Sequence, residues 1–126
     1  APLAPAGHLA PKDLAKSVET NITATSRLVS YVSPLLGQSG HAVFLDDPRA
    51  GQPFFGSYGA TKAAQIAIAR SWQAETAKTG PKVSILTPQA MPTATRARFF
   101  PGEDRAALAN PTDEAARLLP QILTPA

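Results

Sequence analysis

A chain of 126 residues with a formal charge of +3 is enough for one small domain and excludes two. Apolar residues make up 44%, but 24 alanines supply much of that and only 6% is aromatic, so the core is expected to be thin and helix-rich. Cysteine is absent, and His8 and His41 stand far apart, which excludes disulfides and gives no expectation of a metal. The twelve Lys and Arg are scattered, with only Arg96, Arg98 and Arg105 near one another, so no nucleic acid partner is expected. No apolar run approaches the roughly 18 residues of a membrane span, and the first ten residues lack the pattern of a signal peptide. The expectation is a cytoplasmic protein with no membrane partner.

Residues 1–10 are rich in proline and alanine without periodicity and read as an arm. From Pro11, a favourable first-turn residue, apolar or small residues recur at Leu14, Val18, Ile22, Thr25, Val29, Val32 and Leu36, which predicts a long helix over 11–37. Pro34 is expected to bend or end it, and Gly37 and Gly40 to terminate it. Ala42-Val43-Phe44-Leu45, between glycine and Asp46-Asp47-Pro48, predicts a buried strand over 42–46. A second helical pattern covers 57–79 and ends at Gly80-Pro81. Lys82 to Thr87 alternates and meets Pro88, giving a strand over 82–88, after which 89–102 reads as loop. Further helical segments are expected within 103–124, at about 103–109 and 112–124, the second opening at Asn110-Pro111-Thr112-Asp113-Glu114.

Helix, strand, helix, strand, helix is the order of an α/β fold with a parallel sheet and long crossover helices. Two strands alone leave both edges unpaired, so further strands are expected from sequence outside this chain, from a partner, or from self-association.

Tyr58 and Lys62 lie four residues apart on one helix, hence on one face. A phenol near pKa 10 is a weak acid-base group at neutral pH, but a nearby ammonium favours the phenolate and brings it toward working range. Alone, the pair reads first as a solvated Tyr/Lys pair, because any helix carries the two residues at this interval by chance. Its position after a buried strand and a Gly/Pro-bearing loop puts Tyr58 at the carboxyl edge of the sheet, where ligands of open α/β sheets bind.

With Asn21-Ile22-Thr23-Ala24-Thr25 in a long helix, the strand 42–46, Tyr58-Gly59-Ala60-Thr61-Lys62 opening the next helix, and Val83 to Pro88 followed by Thr93, the chain resembles the second half of the short-chain dehydrogenase/reductase fold. The resemblance spans about Lys12 to Leu123. It implies a partial doubly wound, Rossmann-like parallel sheet, NAD or NADP as cofactor and a small carbonyl or alcohol substrate. Tyr58 looks like the family's acid-base, and Lys62 like the residue that binds nicotinamide-ribose hydroxyls and lowers the tyrosine pKa. Asn21 matches the asparagine of a water-linked proton relay to that lysine, and Thr93 the threonine that contacts the nicotinamide carboxamide near Pro88. Asn21 is also explicable as a helix-bending residue and Thr93 as a loop hydroxyl. Phe54, Phe55, Phe99 and Phe100 border the substrate in this family, or fill a thin core. Trp72 and Tyr31 read as packing or interface residues. The family's paired helices imply a homodimer through 11–37 and 57–79, or pairing with a full-length relative.

The chain departs from the family's pattern in three ways. Where the catalytic serine is expected stands Asp47, with Asp46 as the alternative. An ionised carboxylate only accepts hydrogen bonds and repels a developing alkoxide, and it is expected to pair with Lys62. Gln89 replaces the glycine that follows Pro88 in the family. No Gly-x-x-x-Gly-x-Gly turn occurs in the sequence, and such a turn, with the first strands, would lie upstream of Ala1. Two readings follow: an NAD(P)-dependent oxidoreductase segment with impaired turnover, or a non-catalytic scaffold or dimerisation protein. Neither substrate identity nor the choice between NAD and NADP is written in these residues.

Overall fold

A computed structural model describes residues 3–123. The periodic stretch from Pro11 folds as α1 (Pro11–Val18), a π-helical turn (Glu19–Thr23) and α2 (Ala24–Leu36), all helical in backbone. Pro11 occupies the first turn, where its missing N–H costs nothing. The π turn holds one residue more than an α turn and re-aims the side chains around Asn21, an irregularity that apolar spacing alone does not show. Pro34 falls in the last turns and is accommodated within α2, and Gly37 ends it at φ +61°.

Strand β1 (His41–Leu45) and strand β2 (Lys82–Leu86) pair in parallel, with His41 opposite Lys82 and Leu45 opposite Leu86. Helix α3 (Gly56–Glu75) makes the crossover. The ladder continues past both strands through the Asp46 N–H to the Leu86 carbonyl at 2.8 Å and the Lys82 N–H to the Gly40 carbonyl at 2.9 Å. The fold is thus an α/β, partial Rossmann-like parallel sheet with long helices.

Packing is thin, as the alanine content requires. The buried apolar set among the described residues is Phe55, Ile66, Ala69, Trp72, Val83 and Leu118. Small residues on α3 let it lie against α1, the π turn and β2, burying Ser57, Gly59, Thr61, Ile66, Ala69 and Trp72. Trp72 meets Phe44 of β1 edge-on at 6.4 Å, so it is a packing residue, whereas Tyr31 is 72% exposed on α2.

Two segments differ from the expectation. The stretch 89–102 is not all loop: α4 (Ala94–Phe99) forms there, because the Thr93 side chain accepts from the Arg96 N–H at 3.1 Å and caps it. The region 103–109 holds only a 3-10 turn at Arg105–Ala107, and α5 (Pro111–Leu123) follows with the Asn110 side chain accepting from the Thr112 N–H. Among the described residues no helix is long and apolar enough to cross a membrane, and no three His, Asp or Glu gather as a metal site.

Candidate functional site

Parallel pairing puts the carboxyl ends of β1 and β2 side by side. The chain leaving β1 at Asp46-Asp47 and the chain leaving β2 at Thr87-Pro88 therefore face each other across one cavity of about 490 Å³. Helix α3 opens beneath it and contributes Tyr58 and Lys62, one turn apart, while α4 closes the far side with Arg96 and Phe99.

Of the residues singled out in the sequence, Tyr58, Lys62, Asp47, Asp46, Pro88 and Thr93 all line this cavity. Asn21 does not. Its side-chain amide donates to the Thr61 hydroxyl at 3.0 Å, and Thr61 in turn donates to the Ser57 carbonyl at 2.8 Å, so Asn21 ties the π turn to the buried side of α3. No direct bond joins Asn21 to Lys62 among the described residues.

Asp47 gathers the contacts of the cavity. The Tyr58 hydroxyl donates to Asp47 Oδ2 at 3.0 Å. Arg49, two residues further on, grips the same carboxylate through Nε to Oδ1 at 2.7 Å and Nη2 to Oδ2 at 2.5 Å. The expected Asp47–Lys62 pair is not formed, because the Asp-Pro-Arg turn brings a planar, two-pronged donor to the carboxylate from its own loop. Lys62 Nζ instead donates to Gln65 Oε1 at 2.6 Å, and the Gln65 amide donates to the Thr25 hydroxyl of α2 at 3.0 Å. Among the described residues, the Asp46 carboxylate approaches Arg70 loosely, at 4.0 Å.

These contacts set the charges. Burial pushes the Asp47 carboxyl up, but the hydrogen bonds and charge of Arg49 outweigh it and hold the group below the usual carboxylate range. Burial, reinforced by the adjacent Asp47 charge and the bond to it, pushes the Tyr58 phenol up to about 12. This is opposite in direction to the lowering expected from Lys62. Burial lowers the Lys62 ammonium, opposed by the charges of Asp46 and Asp47. The site is therefore a neutral phenol bonded to an anion, beside a half-buried cation.

Aromatic rings wall the phenol. Phe99 stands edge-on to Tyr58 at 5.1 Å, and Phe55 packs 6.3 Å from Tyr58 and 6.1 Å from Phe100. Arg49 lies over Phe55 at 5.0 Å and Phe100 at 5.4 Å, and Arg96 over Phe100 at 4.2 Å. Arg96 is held by Glu103 at 2.6 and 2.8 Å. Phe54, by contrast, is 59% exposed and has φ +71°. Behind Pro88, the Gln89 N–H donates to Glu114 of α5 at 2.9 Å, and Glu114 also pairs with Arg117. The backbone that follows β2 is thus pinned from below.

Sequence reasoning missed Arg49 and Gln65. Arg49 was two residues from a carboxylate already singled out, and Gln65 was three residues from Lys62 on one helical face; both spacings were legible.

The family model described as short chain dehydrogenase matches residues 1–104. This chain belongs to the short chain dehydrogenase family. No curated protein matches it. It is similar to a short chain dehydrogenase from Salmonella enterica serovar Typhi at 26% identity and TM-score 0.88, covering 95% of this chain and 51% of that one. A short chain dehydrogenase from Escherichia coli, complexed with NADPH, is similar at 27% identity and TM-score 0.87, with 95% and 51% covered. One from Shigella flexneri, complexed with NADP, matches at 27% identity and TM-score 0.87, with 95% and 52% covered. The chain thus spans about half the length of the solved short chain dehydrogenases it matches.

Proposed function

We propose that this short chain dehydrogenase chain carries the nicotinamide and substrate side of an NAD(P)-dependent oxidoreductase site for a carbonyl or alcohol, with proton transfer suppressed. The observation that carries the reading is that Tyr58 and Lys62 enter one cavity at the carboxyl ends of two parallel strands while the Tyr58 hydroxyl is committed to Asp47. The NADPH and NADP complexes of the similar proteins support a nicotinamide nucleotide as the cofactor.

The residues present fit the nicotinamide end of such a nucleotide. The half-buried Lys62 ammonium would offer donors to ribose hydroxyls, and Pro88 and Thr93, which line the same cavity, would hold the carboxamide. When bound, the nucleotide supplies or accepts hydride at its nicotinamide ring. Tyr58 is the group placed to exchange a proton with the substrate oxygen, and to do so its hydroxyl must leave Asp47. The Asp47 carboxylate stands where a donor to that oxygen is needed, and losing one such donor alone costs roughly 10²- to 10³-fold in rate. An anion held by Arg49 adds repulsion of a developing alkoxide. Asn21 acts in this reading by fixing the π turn against α3.

A second reading is a non-catalytic scaffold, and the same Asp47–Arg49 pair favours it. In either case the exposed Leu28, Tyr31 and Leu35 of α2 offer a face for a homodimer or for pairing with a longer relative, and the compartment proposed is the cytoplasm.

A thermal-shift titration with NADH and NADPH tests the reading. Saturable stabilisation by at least one is expected, worth about 2.7 kcal/mol at a hundredfold excess over Kd. Stabilisation by neither overturns the nucleotide reading for this chain and leaves the scaffold.

A further inference from the structure

We infer that Gln65 is a positioning residue for Lys62, holding its ammonium in the cavity by a side-chain bridge anchored on Thr25 of the neighbouring helix. The inference rests on the proposed reading of Lys62 as a nucleotide-binding group. Lys62 Nζ donates to Gln65 Oε1 at 2.6 Å, and Gln65 Nε2 donates to Thr25 Oγ1 at 3.0 Å. Gln65 is one turn beyond Lys62 on α3, so the two side chains share a face, and Thr25 is buried on α2. A lysine has four rotatable bonds and a compact charge that by itself finds many positions. The amide bridge converts this into one position, because its oxygen faces the ammonium only while its nitrogen is spent on Thr25. The carboxylates of Asp46 and Asp47 lie at the same cavity, yet neither takes the ammonium: Arg49 occupies Asp47. Arg96, on the far wall, is occupied by Glu103. The Tyr58 hydroxyl is spent on Asp47.

Gln65 also joins two helices, so a purely structural role has to be separated. Competitive acetylation with acetic anhydride across a pH series, read by peptide mass spectrometry on the intact chain, reports the reactivity of each lysine. The exposed Lys78 serves as an internal reference. Gln65→Met removes the acceptor from a half-buried ammonium and disfavours the charged form. The Lys62 profile is then expected to move to lower pH, with its rate below the midpoint rising roughly threefold to tenfold. Gln65→Glu restores an acceptor and is expected to move the profile to higher pH than in the parent chain. Thr25→Val, which frees the amide without touching Lys62, is expected to move it in the direction of Gln65→Met by less. Lys78 is unchanged in all three. If Gln65→Met fails to fold, Gln65→Glu and Thr25→Val decide. A Lys62 profile identical to the parent in the folded variants, with only the melting temperature altered, overturns the inference and leaves Gln65 as a helix tie. A shifted Lys62 profile in a chain that neither NADH nor NADPH stabilises upholds the positioning and removes the nucleotide reading instead.

Discussion

The hydroxyl of Tyr58 and the carboxylate of Asp47 meet at 3.0 Å, with the phenol donating and Arg49 gripping the same carboxylate from the other side. The phenol is thereby stabilised in its neutral form, and the residue proposed to handle a proton is bonded to an anion that opposes its ionisation.

Replacing Asp47 by Ser removes that anion. The Tyr58 pKa is expected to fall from about 12 toward the ordinary phenol value, with burial and the Asp46 charge still raising it. Phenolate absorbance, read in a Tyr31→Phe background that leaves Tyr58 as the one tyrosine of the sequence, measures this directly. An unchanged high-pH limb in the Ser variant contradicts the assignment of Asp47 as the opposing charge.

Because the folded-state pKa of Tyr58 lies above its unfolded value, the folded chain holds its phenolic proton longer than the unfolded one. The resulting stability is fully present below about pH 10 and is lost as pH rises through about 12. Denaturant midpoints taken across that window are expected to fall more steeply in the parent chain than in Tyr58→Phe, and parallel slopes contradict this. Asp47 gives the opposite sign: its lowered pKa contributes stability above the ordinary carboxylate range that is lost as pH falls through the folded value.

Arg49→Ala leaves a half-buried carboxylate without its two-pronged partner and uncovers the Phe55 and Phe100 faces. A loss of about 1–3 kcal/mol in unfolding free energy is expected. Arg49→Lys is expected to recover only part of it, since an ammonium does not match the carboxylate with two parallel donors. Chemical denaturation of both variants checks the order.

Asn21→Ala removes the donor to the Thr61 hydroxyl and loosens the π turn against α3, at an expected cost of about 1 kcal/mol. The Lys62 acetylation profile is expected to stay put, because Asn21 makes no bond to Lys62. A shifted profile implies a link between the two that the direct contacts lack.

Gly80 takes φ +71° beside the Gln38 backbone, and a Cβ there runs into the Gln38 carbonyl oxygen. Gly80→Ala therefore combines a strained backbone with a clash against backbone that has no rotamer to yield. An expected loss of about 2–4 kcal/mol, or failure to fold, is read from the melting curve.

Apolar spacing specified the helices that carry most of the chain, since a core-facing stripe must recur every three to four residues whatever it packs against. The two strands were equally legible, as short apolar runs between glycine and proline. Tyr58 and Lys62 could be paired from their interval alone, because helical geometry fixes which side chains share a face. The capped turn at Thr93 that raises α4 was missed, since six residues give too short a period to stand out from loop composition. The π turn was missed because one extra residue changes a helix's aim without changing its apolar stripe.

Charge pairing belonged to the tertiary structure. Asp47 has Arg49, Lys62 and Tyr58 all within plausible reach along the chain, and which of them it takes depends on the turn at Asp47-Pro48-Arg49 and on distances of a few tenths of an ångström. Only the folded loop decides that contest, because electrostatic and hydrogen-bond energies in a partly buried site change steeply with geometry, whereas the hydrophobic pattern that shapes the helices does not.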